Sequence, residues 1–183
     1  MTTQQGLLTA EEFAALPHEG LRLELIRGEL VAMPPTHGNH GIPAMRLSGL
    51  LTHYILTHNL GQVYAAETGF LIAGNPDTVR APDFAFIEAS RVTPETVAPT
   101  WVPVIPDLVL EVVSTGDRET EVTSKTRMWL DAGVRLVWVV YPARREIVIH
   151  RSDSATTLIE TDTLKGEDVV PGFELPVAGI FGD

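Results

Sequence analysis

The chain has 183 residues, enough for one domain with a sizeable core, and 44% of them are hydrophobic against 20% charged, a balance that excludes disorder. It contains no cysteine, which excludes disulfides and thiolate-ligated zinc or iron–sulfur centres. Its formal net charge of −11 is opposite to what a protein gripping a duplex through phosphate contacts usually carries. Part of that charge is local: from position 160 onward Glu160, Asp162, Glu167, Asp168, Glu174 and Asp183 stand against Lys165 alone, which leaves room for a less acidic face elsewhere. Met1 to Gly6 lacks basic residues, and Glu11 and Glu12 break any apolar run that follows, so no targeting signal is expected. No run of about 18 apolar residues occurs, so no membrane span is expected and a reducing cytoplasm is the expected compartment.

Taken in chain order, Thr9 with Glu12 three residues on forms a capping-box pattern that opens a short helix, closed by Pro17. Leu21 to Met33 reads as a hairpin. Leu21, Leu23 and Leu25 alternate with Arg22 and Glu24, and Arg27-Gly28 makes the turn. After Pro34-Pro35, a long helix is predicted from about Gly41 to Asn59, with Leu47, Leu50, Leu51, Tyr54 and Ile55 at helical spacing and Gly61 as a stop. Strands follow over Gln62–Ala66, Gly69–Ala73 and Asp83–Ile87, and then a proline-rich loop from Ser90 to Pro106. Leu108–Val113, a helix from about Glu119 to Ala132 stopped by Gly133, and Leu136–Tyr141 form a βαβ-like unit, so part of the sheet is expected to be parallel. Pro142 to Arg145 turns into a strand over Glu146–His150, and the remainder reads as a short strand and an apolar clasp ending near Phe181. One domain over 1–183 is expected.

Glu111 stands out chemically. It interrupts Leu108-Val109-Leu110 and Val112-Val113, a run typical of a strand covered on both faces. An ionised carboxylate there costs several kcal/mol unless it is paired or bound to a metal; the plainer alternative is an edge carboxylate held by an arginine. Asp83, at the head of the apolar Phe84 to Ile87, is unremarkable alone. With Glu111 and the Val112 carbonyl, however, it would offer the hard oxygen ligands that Mg²⁺ prefers.

Lys125 shares a helical face with Val122, Thr126 and Trp129, and it is one of two lysines beside 11 arginines. A compact ammonium on an inward face can hold a water, whereas the alternative is a surface pair with Glu121 at i,i+4. Glu24 fits an exposed strand face equally well. His37, His40, His53 and His58 fit capping or exposure better than metal ligation. Ser114-Thr115-Gly116 reads as a strand-to-helix turn. No GxGxxG, P-loop or GxSxG is present.

The order of these residues resembles the Uma-two family of restriction-endonuclease-like proteins. The resemblance is carried by Leu23-Glu24-Leu25-Ile26-Arg27-Gly28-Glu29-Leu30, Pro35, His40, Arg80-Ala81-Pro82-Asp83, and Pro106-Asp107 through Ser114. It continues through Lys125, Gly133-Val134 to Trp138, Pro142, Pro171-Gly172-Phe173 and Phe181. It implies the PD-(D/E)XK fold, an α/β (α+β) core with a mixed central sheet flanked by helices, and an N-terminal helix and hairpin. Asp83 and Glu111 would then ligate Mg²⁺ (or Mn²⁺), Glu24 would complete the acidic cluster, and Lys125 would serve as the motif lysine. Two departures stand out. Position 113 is Val where the superfamily has its lysine, and Arg27 precedes the turn glycine where the family usually has Asp or Asn.

The implied activity is metal-dependent hydrolysis of nucleic-acid phosphodiesters, DNA above all, by a homodimer if both strands of a duplex are cut. Arg80, Arg118 and Arg127 are candidates for phosphate contacts by proximity in sequence. Two alternatives remain at this point. One is a catalytically inactive module of the same fold that binds DNA or protein, a reading the acidity favours. The other is a hydrolase of small phosphoesters.

Overall fold

The computed structural model describes residues 6–17, 20–97 and 99–182. Residues 1–5, on which much of the targeting expectation falls, and Asp183 lie outside them.

The N-terminal helix α1 (Ala10–Ala15) starts as its sequence dictates: the Thr9 side chain accepts from the Glu12 N–H, and the Glu12 carboxylate accepts from the Thr9 N–H. Strands β1 (Arg22–Ile26) and β2 (Glu29–Met33) form the expected antiparallel hairpin. Its two-residue turn demands positive φ at both positions, and Arg27 and Gly28 sit at 51° and 81°. Arg27 carries the less natural conformation. Its N–H donates to the Thr78 hydroxyl and that of Gly28 to the Asp77 carbonyl, so the turn is held from outside.

The long helix α2 (Gly38–Thr57) begins three residues before its expected start, with Pro43 inside it. Strands β3 (Gly61–Ala65), β4 (Phe70–Ala73), β5 (Thr78–Arg80) and β6 (Phe84–Glu88) follow. The central unit is β7 (Leu108–Val112), α3 (Glu119–Ala132) and β8 (Leu136–Tyr141). Gly133, at φ 107°, ends α3 where the sequence places its stop. Beyond it come β9 (Glu146–His150), β10 (Ala155–Leu158), β11 (Thr163–Lys165), β12 (Glu174–Pro176) and the short α4 (Ala178–Phe181). Three strands escape the sequence reading, β5, β10 and β11, and each is short or polar.

The strands assemble into a six-stranded sheet, β10-β9-β8-β7-β6-β3, a four-stranded sheet, β2-β1-β5-β4, and the β11-β12 ribbon. Within the six-stranded sheet β7 pairs parallel with β8, and the other pairings are antiparallel. The chain therefore has the mixed central sheet flanked by helices that the resemblance implied.

Side-chain alternation sorts the core into two layers. Phe84, Phe86, Leu108, Leu110, Trp138 and Val140 point to the side covered by Leu47, Leu51 and Ile55 of α2. Ala85, Ile87, Val109, Val137 and Val139 point to the side covered by Trp129 of α3. Both faces of β7 are thus dry, and all five of its residues are buried. Alternation also puts Glu111 on the α3 side with Val109.

At the opposite end of β7 the fully buried Asp107 receives Arg91 at 2.7 Å and Arg135 at 3.4 Å. Arg135 also reaches Asp168 at 2.7 Å, and Arg151 pairs with Glu167 and Asp168. Of the C-terminal acids, Glu167 and Asp168 are thus matched by arginines at that pole, while Glu160 pairs with Arg145 and Glu174 with Lys165. Among the described residues, no helix is long and apolar enough to cross a membrane.

Leu51 is fully buried between α2 and the sheet. Leu51→Ala should lower stability by about 2–5 kcal/mol in urea unfolding, the cost of a truncated core leucine. A loss below about 1 kcal/mol would mean that α2 is not docked on the central sheet.

Candidate active site

The register that pairs Phe84 with Leu110 and Ala85 with Val109 brings Asp83 opposite Glu111 at the end of two antiparallel strands. The Asp83 N–H donates to the Leu110 carbonyl at 3.1 Å, and the Val112 N–H donates back to Asp83 Oδ2 at 2.8 Å. The backbone therefore fixes this carboxylate. His40, in the first turn of α2, adds a third constraint: its Nε2 lies 3.1 Å from the same Oδ2, and against an ionised carboxylate that nitrogen must donate. No hydrogen bond from a described residue reaches Oδ1.

Glu111 is gripped by α3. Lys125 Nζ donates to Oε2 at 2.7 Å, and Trp129 Nε1 donates to Oε1 at 2.8 Å. The two donors are four residues apart, one turn of one helix, so a single element reaches both oxygens. The alternative pairing of Lys125 with Glu121 is not what forms; Glu121 lies instead beside Arg118, 4.0 Å away. Breaking a largely buried pair such as Glu111–Lys125 typically costs about 3–5 kcal/mol, because one charge is left without its partner.

The two carboxyls are tuned in opposite directions. Burial pushes the Glu111 carboxyl above its ordinary range; the Lys125 ammonium opposes this, and the Asp83 charge reinforces it. Burial also acts to raise Asp83, but the His40 hydrogen bond and charge, the Val112 N–H and Lys125 outweigh it and hold Asp83 below the usual range. A pair split in this way is a common signature of a functional site.

Glu24 is buried in β1. Its Oε1 accepts from the Ala81 N–H at 3.0 Å, and Arg80 Nε stands 3.0 Å from Oε2, off line for a hydrogen bond and so an ion pair. Glu24 thus grips the segment that leads into Asp83. Arg80, a candidate phosphate contact from sequence, is buried and engaged by Glu24. Arg127 pairs with Asp131 at 2.9 Å, and the exposed Arg118 faces Glu121.

All five candidate positions, Glu24, Asp83, Glu111, Val112 and Lys125, line one groove of about 1660 Å³, together with His37, His40 and Arg80. Among the described residues, no three or more acidic, histidine or cysteine side chains are arranged to hold a metal ion. Any metal here would rest on two carboxylates and a backbone carbonyl. Sequence reasoning missed His40 and Trp129 as site residues. Trp129 had a trace in its helical spacing from Lys125; His40 had none beyond its place in the family pattern.

The depressed Asp83 contributes stability that is present above the ordinary value of 3.8 and is lost as the pH falls through its folded value. Thermal unfolding across a buffer series should therefore show the parent losing more stability than Asp83→Asn as the pH drops below about 4. Glu111 carries the opposite sign and acts above this window, at pH values above its ordinary 4.5, although Asp83→Asn also removes the charge that helps to raise it. Parallel curves would show that Asp83 is not stabilised as its anion.

Comparison with known proteins bears on this arrangement. A solved crystal structure from Anabaena variabilis, described as a putative nuclease belonging to DUF820, superimposes with a TM-score of 0.82. It is 17% identical, and the match covers 95% of this chain and 97% of that one, a likeness that establishes the fold. No curated protein matches the chain. The sequence profile of the Uma2 family, described as "Putative restriction endonuclease", matches residues 10–178, nearly the whole chain. This protein therefore belongs to the Uma2 family.

Proposed function

We propose that the protein is a metal-dependent endonuclease that hydrolyses phosphodiester bonds in DNA, with Mg²⁺ as its ion and Mn²⁺ able to replace it. The observation that carries this reading is the meeting of Asp83 and Glu111 across two strands, with an ammonium 2.7 Å from Glu111 in the same groove. The family's description and that of the Anabaena variabilis protein as a nuclease support it.

The donor set suits the ion. Asp83 Oδ1, the Glu111 carboxylate and the Val112 carbonyl are hard oxygens. Mg²⁺ keeps several waters and is commonly held by one or two carboxylates plus substrate phosphate. Bound there, the ion would polarise a nonbridging phosphate oxygen and make water more acidic.

The remaining work falls to the protein's own groups. Val112 N–H and His40 hold Asp83 ionised through one oxygen and leave the other without a hydrogen bond from a described residue. Trp129 and Lys125 fix the plane of the Glu111 carboxylate. The Lys125 ammonium, beside Glu111, is in position to orient the attacking water or to offset charge developing on the phosphate. Glu24, through Ala81 N–H and Arg80, sets the course of the chain into Asp83. A cysteine-free chain is suited to the cytoplasm, the proposed compartment. Cutting both strands of a duplex calls for two such sites, and so for a homodimer.

A second reading is favoured by the charge. Of the groove's five arginine and lysine side chains, Arg22, Arg80, Lys125 and Arg127 each face an acid, and only Arg27 pairs with none among the described residues. With phosphate-neutralising groups so engaged, a catalytically inactive module that binds DNA or protein is the competing function.

Two measurements separate them. Supercoiled plasmid incubated with Mg²⁺ or Mn²⁺ should be nicked by the parent, and EDTA should abolish the nicking. Glu111→Ala and Lys125→Ala should each reduce it by about 10²-fold or more. Absence of nicking by the parent with both ions would count for the module. Independently, millimolar Mn²⁺ should raise the melting temperature of the parent but not of an Asp83→Ala, Glu111→Ala double variant. An equal shift in both would place the ion elsewhere.

A further inference from the structure

The long helix α2 has an outer face that the fold of a single chain does not use. Leu47, Leu51 and Ile55 point into the core, while Ile42, Met45, Leu50 and Leu56 are 55, 70, 47 and 52% exposed. Ile42, Met45, Gly49, Thr52 and Leu56 follow one another at spacings of three, four, three and four. That is the a/d repeat by which one helix packs along another.

Gly49 lies in the middle of this seam and of the helix. Glycine is a poor helix former, and inside a helix it needs a reason. Among the described residues there is none: a Cβ at position 49 would meet only the Met45 Cε, at an ordinary 3.8 Å. A small residue at the centre of an apolar seam lets a second backbone come close.

The seam is also symmetric about Gly49. Ile42 lies seven residues before it and Leu56 seven after; Met45 lies four before and His53 four after. Two antiparallel copies related by a two-fold axis through Gly49 would set Ile42 against Leu56 at both ends, over a span of about 21 Å.

Charge points to the same partner. Each copy carries −11, so most approaches between two copies set acid against acid. From Gly38 to Thr57 there is no acid at all, and one base, Arg46. A nucleic-acid strand would find a single arginine here, too little for phosphate neutralisation.

We infer that the outer face of α2 is the two-fold interface of a homodimer, with the two helices antiparallel and crossing at Gly49. This surface supplies the dimer proposed above, and it stands whether or not the groove cleaves DNA. One helix face is smaller than the roughly 800 Å² per partner of a standard interface, so a dimer that dissociates on dilution is expected.

The cysteine-free chain makes the test direct. The parent should sediment as a dimer at about 100 µM and dissociate on dilution. Met45→Glu, with an unchanged circular dichroism spectrum, should raise the dissociation constant at least about tenfold. Under mild oxidation, Gly49→Cys should form a disulfide-linked dimer, as should Ile42→Cys mixed with Leu56→Cys, while Thr157→Cys on β10 should not. A parent that stays monomeric at about 100 µM would overturn the inference. So would a dimer untouched by Met45→Glu, Ile42→Cys preferring itself to Leu56→Cys, or cross-linking at Thr157 in place of Gly49.

Discussion

The structure turns on one carboxylate in the wrong medium. Glu111 sits in a strand that is covered on one side by α2 and on the other by α3, where a charge survives only with its hydrogen-bonding capacity met. Meeting it dictates what surrounds it. The helix after β7 must return over the same face and present two donors one turn apart, and α3 does so with Lys125 and Trp129. Its neighbour must bring a second carboxylate without adding an unbalanced charge. Asp83 manages this because the Val112 N–H and His40 share its burden.

The charges are arranged in two separate groups along the sheet. At one end Glu24, Asp83 and Glu111 each meet a cationic or hydrogen-bonding partner inside the groove. At the other, Asp107, Glu167 and Asp168 are matched by Arg91, Arg135 and Arg151. The large negative net charge therefore does not mean an evenly acidic surface. It also means that arginines are committed to holding the fold at the pole away from the site, which is why the sequence's Arg count is a poor measure of affinity for phosphate.

Several parts of this arrangement were legible beforehand. The end of α3 followed from Gly133. The hairpin followed from strict alternation. Glu111 followed from being the one polar residue in an apolar run. Other parts were not legible. Ala155–Leu158 and Thr163–Lys165 are short and mostly exposed, and they become strands only because β9 and β12 lie beside them. His40 reads as a capping histidine until α2 is laid on the sheet and its first turn meets Asp83.

The sequence by itself determined the residue order that resembles the family, through which the fold class was expected, and marked Glu111 as a carboxylate in an apolar strand, because residue order and local patterning are legible without the fold. Only the tertiary structure decided who partners whom. Lys125 chose Glu111 over the nearer-in-sequence Glu121, since the buried carboxylate gains far more from a cation than an exposed one does. Arg80 turned inward to Glu24 for the same reason. Such choices depend on which charges lose their water, and that is settled by packing between segments far apart along the chain.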